Sequence, residues 1–294
     1  MFNRYIAPLL IIVFTFKSLS VYAEEAKVLL AKPAKKIERI IALAPHSVEL
    51  LFTLGAGDML VGTSEFADYP EAAKAVPRVG GYNGIQLERV LELQPDLIIA
   101  WDGGNNPGDI DQMERLGLPV YRSHSKKLSD IAEELKVMGR LIGMEKAGVD
   151  AAKNFTDRLG NLKTKHSGKS PVTFFYQLWA NPLKGMSEGS WINEVLAICG
   201  GKNVLTDKAN HYPSVSMENI LVLTPEAIVQ PSQHGTDQWN AIDWTQWPEI
   251  PAVKNKHIFP VNGDLLHRFS VRILDGMEVV CDRFDQVRKQ RQTL

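Results

Sequence analysis

The 294-residue chain carries 33 basic and 34 acidic side chains, a formal charge of −1, and 45% apolar residues. This near-neutral balance gives no electrostatic footprint for nucleic acid. The length suffices to bury one large core or two smaller ones.

The first residues read as an export signal: Arg4, an apolar run from Tyr5 to Phe16, then small or neutral residues ending Val21, Tyr22, Ala23. The run is shorter than the roughly 18 residues that span a bilayer, and no later stretch is apolar enough to do so. Cleavage is expected after Ala23, which removes Arg4 and Lys17 but no acid and moves the formal charge to −3. With no Cys beside Ala23 to take a lipid, the expectation is a free periplasmic protein. A retained anchor is the alternative.

Next come Lys36 to Arg39 and a strand, Ile40 to Ala44, stopped by Pro45; a helix then runs through Val48, Leu51, Phe52 and Leu54 to Gly55. Strands at Val61 to Thr63, Leu97 to Trp101 and Val120 to Ser123 alternate with helices at Glu88, Asp109 to Leu116 and Asp130 to Gly143. Alternation of this kind predicts an α/β lobe with a mostly parallel sheet, spanning residues 24–143. Residues 144–168 read as one helix, with Ala152, Phe155, Leu159 and Leu162 on one face and Gly168 as its stop. Its 21 or so residues cover roughly 30 Å, enough to cross between lobes. A second α/β lobe, 169–294, follows with Val172 to Leu178, a Trp191 to Cys199 helix, a Glu218 helix, Ala227 to Gln230, His257 to Val261 and a closing helix from Asp264 to Arg288. The predicted fold is thus two similar α/β lobes joined by a single long helix, with a ligand cleft between them.

The two halves repeat each other at an offset of 130. Tyr82, Glu88, Leu91, Leu93, Pro95 and Asp96, followed by Leu97, Ile98 and Ile99, return as Tyr212, Glu218, Leu221, Leu223, Pro225 and Glu226, followed by Ala227, Ile228 and Val229. Ligands of open parallel sheets sit beyond the carboxyl ends of the strands. The residues there are Pro45 and His46, Phe66, Trp101 and Asp102, Trp179, and Asp264 with Arg268; Tyr82 and Tyr212 join them from the turns ahead of the Glu-bearing helices. This mostly aromatic set suits a large, flat, largely apolar ligand with hydrogen-bonding edges. Each aromatic can equally be a core plug, and Asp264 can equally cap the closing helix. Glu88 and Glu218 are either ordinary first-turn acids or, because both lobes carry one, a paired contact for a two-fold partner.

Cys199 and Cys281 are the only cysteines. An oxidising compartment predicts a disulfide between them, structural in role, because two sulfurs so far apart without a close His make a poor metal site. The string Gly185, Met186, Ser187, Glu188, Gly189 matches a serine-hydrolase signature, yet Asn181 to Lys184 separate it from the preceding strand, so no enzyme is expected. His46, His124, His211 and His267 can approach the cleft, which keeps a zinc or manganese reading open, although none has a partner at metal-motif spacing. No metal or cofactor is assigned.

Several stretches carry a resemblance to a known family. They are Ile41 to Leu50 with its Pro45 break; Asp68, Tyr69, Pro70; Leu87, Glu88, Arg89; Pro95 to Trp101 with Gly103, Gly104, Asn105; and Val195 to Cys199 with Gly200, Gly201 and Asn203. The mature chain resembles the class III, helical-backbone periplasmic binding proteins of ABC importers, and within that family its cobalamin-binding members. The resemblance implies a corrin held by Phe66, Tyr82, Trp101 and Tyr212, with Asp264 and Arg268 at its polar edge. It also implies that Glu88 and Glu218 dock onto arginines of a membrane permease that works with an ATPase, the carrier itself being monomeric. Tyr82 and Tyr212 stand where the family is familiar with Trp, and Leu265 and Leu266 replace bulkier aromatics, so haem or an iron-siderophore complex is the alternative occupant.

Overall fold

The computed structural model describes residues 36–81, 83–232 and 242–293. Ile37–Leu294 form one compact unit. The expected signal segment, 1–23, and Tyr82 lie outside the described residues.

The first lobe is built from β1 (Ile40–Ala42), α1 (Pro45–Thr53), β2 (Leu60–Thr63), a hairpin of β3 (Gly80–Gly81) and β4 (Gly84–Ile85), α2 (Leu87–Glu92), β5 (Leu97–Trp101), α3 (Pro107–Arg115), β6 (Val120–Ser123) and α4 (Leu128–Leu141). Its main sheet has the order β2-β1-β5-β6, all parallel. After the linking helix α5 (Glu145–His166), the second lobe adds β7 (Val172–Ala180), β8 (Leu183–Gly185), α6 (Trp191–Ile198), β9 (Gly201–Asn203), α7 (Met217–Leu223), β10 (Ala227–Pro231), α8 (Pro251–Lys254), β11 (Ile258–Val261), α9 (Gly263–Leu266) and α10 (Ile273–Thr293). Here β9, β7, β10 and β11 lie side by side in parallel, while β8 folds back antiparallel on the end of β7.

The repeat seen in the sequence is therefore a repeat of structure. Strand β5 and helix α2 sit 130 residues before β10 and α7, and the turns between helix and strand match as well: Gln94 has φ 44° and Thr224 has φ 45°. The acid after each proline has a common task. Asp96 accepts from the amides of Glu38 and Arg39, each at 3.0 Å, and Glu226 accepts from the amide of Thr173 at 2.9 Å. Each carboxylate thus satisfies backbone donors at the start of the neighbouring parallel strand.

Apolar residues alternate between the faces of each strand, as a sheet covered on both sides demands. Ile40, Ala42, Leu97 and Ile99 point into the same cluster as Val172, Phe174, Tyr176, Ala227 and Val229, and that cluster runs through α5 and α10. Ile41, Leu43, Ile98 and Ala100 fill a separate cluster on the first lobe, and Phe175, Ile228 and Trp244 one on the second. The core is continuous between the lobes rather than split in two.

Helix α5 spans about 33 Å at 1.5 Å per residue and ends before Gly168, whose φ is 71°. It lies so close to α4 that a Cβ on Gly148 would stand 2.6 Å from the Leu135 carbonyl. Only glycine permits that approach.

The closing helix differs from its expectation. A continuous run from Asp264 to Arg288 is replaced by α9, a break, and α10. No Gly or Pro lies in the intervening 267–272; the helix opens because Arg268, Phe269 and Ser270 are buried in other contacts, described below.

Cys199 and Cys281 form a disulfide with Cα atoms 4.7 Å apart, joining the end of α6 to α10 within one lobe. Both are fully buried. Closing an 82-residue separation contributes about 4 to 5 kcal/mol in the chain-entropy account. Cys199→Ala with Cys281→Ala is expected to lower unfolding stability by roughly that amount in urea titration; an unchanged midpoint and slope would refute the role.

Candidate functional site: the junction of the two sheet edges

The carboxyl ends of both sheets converge. From the first lobe come the start of α1 after β1, the Ser64 to Asp68 segment after β2, and the turn after β5; from the second comes the connection between α9 and α10 after β11.

At the centre is Glu49 of α1, 2% exposed. Its Oε1 accepts from Arg268 at 2.8 Å and Arg272 at 3.0 Å, and its Oε2 from the Ser270 hydroxyl. Arg268 also reaches Asp68 at 2.9 Å, Asp264 at 2.9 Å and the Phe66 carbonyl at 3.1 Å. Arg272 lies over the Tyr69 ring, 3.5 Å from its centroid. Burial opposes the Arg268 charge, but Glu49, Asp264 and Asp68 outweigh it and hold its pKa above the usual arginine value.

Beside this cluster runs a chain of rings. Trp101 of β5 meets His46 edge-on at 5.0 Å, His46 faces Phe269 at 6.2 Å, and Phe269 stacks on Trp191 at 4.0 Å. The Trp101 indole lies across its own turn, where a Cβ on Gly104 would approach its ring to 2.2 Å and one on Gly103 its Nε1 to 2.8 Å. Asn105 closes the turn, accepting from the Trp101 amide at 2.7 Å and donating to the Leu43 carbonyl at 2.8 Å. The sequence Trp101, Gly103, Gly104, Asn105 therefore sets a half-exposed indole at the strand end and ties it to β1.

The other expected aromatics are more open. Phe66 is 45% exposed, Trp179 48% and Tyr212 42%. Trp179 stands on the β7–β8 hairpin, and Tyr212 lies beside Tyr176, whose hydroxyl is buried. Burial raises the Tyr176 pKa well above its ordinary value, so the hydroxyl keeps its proton, and it is hydrogen-bonded to His267 Nε2 at 2.7 Å.

Asp264 and Arg268 lie at the same edge, after β11. Both are buried, and they pair with each other. Asn262 caps α9, accepting from the Asp264 amide at 2.9 Å, so Asp264 is not a cap. Glu88 and Glu218 are exposed in the first turns of α2 and α7. A backbone amide bond and Ser216 lower the Glu218 pKa, keeping it ionised. One turn on, each helix exposes an aliphatic residue: Leu91, and Val222 at 81%.

The four histidines are dispersed. His46 is buried against Trp101, His124 pairs with Asp102 at 3.0 Å, His211 lies against Tyr212, and His267 is bonded to Tyr176. Among the described residues no group of three or more His, Cys, Asp or Glu is placed to hold a metal. Ser187 is fully buried and donates to the Asn210 carbonyl at 2.6 Å, following a hairpin strand rather than sitting on a strand-to-helix turn.

Sequence reasoning missed Glu49. The available signal was an acid set directly among Val48, Leu50 and Leu51 on the apolar run of the helix.

The chain belongs to the periplasmic binding protein family, whose sequence profile matches residues 40–265. It is 39% identical over 263 residues, 89% of this chain and 94% of the relative, to a vitamin B12-binding protein of Vibrio cholerae. A vitamin B12-binding protein of Vibrio parahaemolyticus is 36% identical over 87% of this chain and 92% of its own length. The crystal structure of the periplasmic vitamin B12-binding protein of Vibrio cholerae superposes with a TM-score of 0.78 at 38% identity, covering 86% of this chain and 99% of that one. A periplasmic haem-binding protein from Roseiflexus, in its ligand-free form, shares the fold with a TM-score of 0.75 at 18% identity, covering 85% and 99%.

His46 makes a pH test. Burial first, and then Arg268, lower its pKa to about 3; among the described residues its Nε2 has no hydrogen-bond partner. Below pH 6.5 the unfolded chain gains a proton on this imidazole that the folded chain refuses, so stability falls with pH until about pH 3. The expected contribution is about 1.4 kcal/mol per pH unit below 6. In denaturant titrations at pH 7, 5 and 4, His46→Asn should lose stability less steeply than the parent; parallel profiles would contradict the assignment.

Proposed function

We propose that the protein is a non-enzymatic periplasmic carrier that captures cobalamin between its lobes and delivers it to an ABC importer. The observation that carries this reading is the 39% identity to a vitamin B12-binding protein, sustained over 89% of the chain. The site chemistry supports it. A corrin is a broad, largely apolar ring rimmed by amides, and the converging sheet edges offer exposed Phe66, Trp179 and Tyr212 with half-exposed Trp101. Tyr82, at the repeat position of Tyr212 in the sequence, is a further proposed ligand contact. Haem-binding members share the fold at 18% identity, which supports a common scaffold but no haem chemistry here.

Scavenging a trace nutrient calls for nanomolar affinity, about −12 kcal/mol. Several buried rings and a few hydrogen bonds can supply this if the walls are held in place beforehand. Titration calorimetry with cyanocobalamin is expected to give one site per chain, and haem no heat at micromolar protein. Absence of heat with cyanocobalamin would sink the reading.

Delivery needs a second face. Glu88 and Glu218 stand on equivalent helices of the two lobes, each with an exposed aliphatic neighbour, Leu91 or Val222. In this reading they meet arginines on the two halves of a permease. Glu88→Ala with Glu218→Ala should lower uptake by cells while leaving cobalamin affinity unchanged; undiminished transport would count against docking through these residues.

A further inference from the structure

Arg268 lies at the carboxyl edge of the second sheet, where a ligand contact is expected, but its hydrogen-bonding capacity is largely committed within the protein. It is 6% exposed. A guanidinium has five N–H donors, four of them on the two Nη atoms. Nη1 meets Glu49 at 2.8 Å and Asp68 at 2.9 Å, and Nη2 meets Asp264 at 2.9 Å and the Phe66 carbonyl at 3.1 Å. Three of the four Nη hydrogens are thus engaged in hydrogen bonds, and Asp264 adds an ion pair on Nη2. A ligand amide competing for one would displace a charge-assisted bond in a buried setting.

Three of those acceptors belong to the other lobe, and two of these flank one turn. Phe66 has φ 62°, the left-handed region, and is not glycine. An L-residue there costs roughly 1 to 2 kcal/mol and persists when its surroundings fix it. The fixing contacts are visible on both sides: the Glu65 amide donates to the Gly80 carbonyl at 2.8 Å, the Phe66 carbonyl accepts from Arg268, and Asp68, two residues on, is held by the same guanidinium. This backbone conformation accompanies a ring that is 45% exposed at the strand edge.

We propose that Arg268 is a positioning residue that acts on the ligand through Phe66. From the second lobe it fixes the left-handed turn of the first, and so places the Phe66 ring on the ligand wall only while the two lobes are joined through Glu49. The binding readout rests on the cobalamin reading; the inference itself concerns how the wall is held. Lysine is the informative replacement, because it keeps the charge opposite Glu49 but cannot fork to the Phe66 carbonyl and Asp68 together.

A double-mutant cycle tests it by calorimetry with cyanocobalamin. Phe66→Ala and Arg268→Lys are each expected to weaken binding roughly tenfold, the scale of one buried ring, and the double variant to be no weaker than either single one. Independent, multiplying losses of roughly a hundredfold in the double variant would show that Arg268 acts on the ligand separately and would overturn the proposal. A ligand-free arm separates this from the identity of the cargo. With 4-fluorophenylalanine placed at position 66, the fluorine resonance should shift and broaden in Arg268→Lys and, more mildly, in Asp68→Ala, whose carboxylate is only partly buried. A resonance unmoved in folded Asp68→Ala protein would overturn the link even if Arg268→Lys failed to fold. If cyanocobalamin bound to no variant while the resonance moved, the cargo assignment would fall and the positioning role would stand.

Discussion

Glu49 is a carboxylate enclosed where the two sheet edges meet, and its charge is answered almost entirely from the opposite lobe. Two arginines and a serine of the α9–α10 connection supply its hydrogen bonds. Removing one partner of such a pair leaves a buried charge uncompensated, a penalty of roughly 3 to 5 kcal/mol. The lobes are therefore joined by more than the helix between them. The connection leaves the helical path at 267–272 to make these contacts, and the core cluster that passes through α5 and α10 continues the join on the far side. In the proposed carrier, walls joined this way would be shaped before the ligand arrives, which would reduce the ordering cost that binding must overcome.

The same junction explains why the repeat is approximate. Both halves keep the helix, the left-handed turn, the proline and the strand-satisfying acid, because these close a parallel sheet regardless of function. They diverge at the strand ends. Trp101 lies at the end of β5 over two glycines, whereas the corresponding residue at the end of β10 is Pro231. Symmetric parts, Glu88 and Glu218 among them, face outward; the asymmetric parts gather at the converging edges. This division suits the proposed delivery of an asymmetric ligand to a two-fold partner.

Much of the fold was legible because it rests on local rules. Continuous apolar runs located the main parallel strands, a 3.6-residue face located α5, and Gly168 located its end. The cysteines were readable from number and compartment alone. What stayed hidden depends on contacts remote in sequence. The break before α10 carries no glycine or proline, and the reason for it, Glu49, lies 219 residues away from Arg268. Short strands such as β8 and β9 are too brief to show periodicity. In the site, Phe66, Trp101 and Trp179 were found by position at strand ends and Tyr212 by its place in the repeat; Phe66, Trp179 and Tyr212 are exposed, and Trp101 is partly buried. Asp264 and Arg268 were found by the same rule, yet they are buried in a network that position alone cannot reveal.

A crystal structure of the protein with cyanocobalamin tests the central claim, a cleft set in advance by the Glu49 cluster, most directly. The account predicts a corrin lodged against Trp101 and Phe66 on one side and Tyr212 and Trp179 on the other, with the Glu49 to Arg268 pair intact beneath it. A corrin bound elsewhere, or one that takes the Arg268 guanidinium away from Glu49 and Phe66, would contradict it.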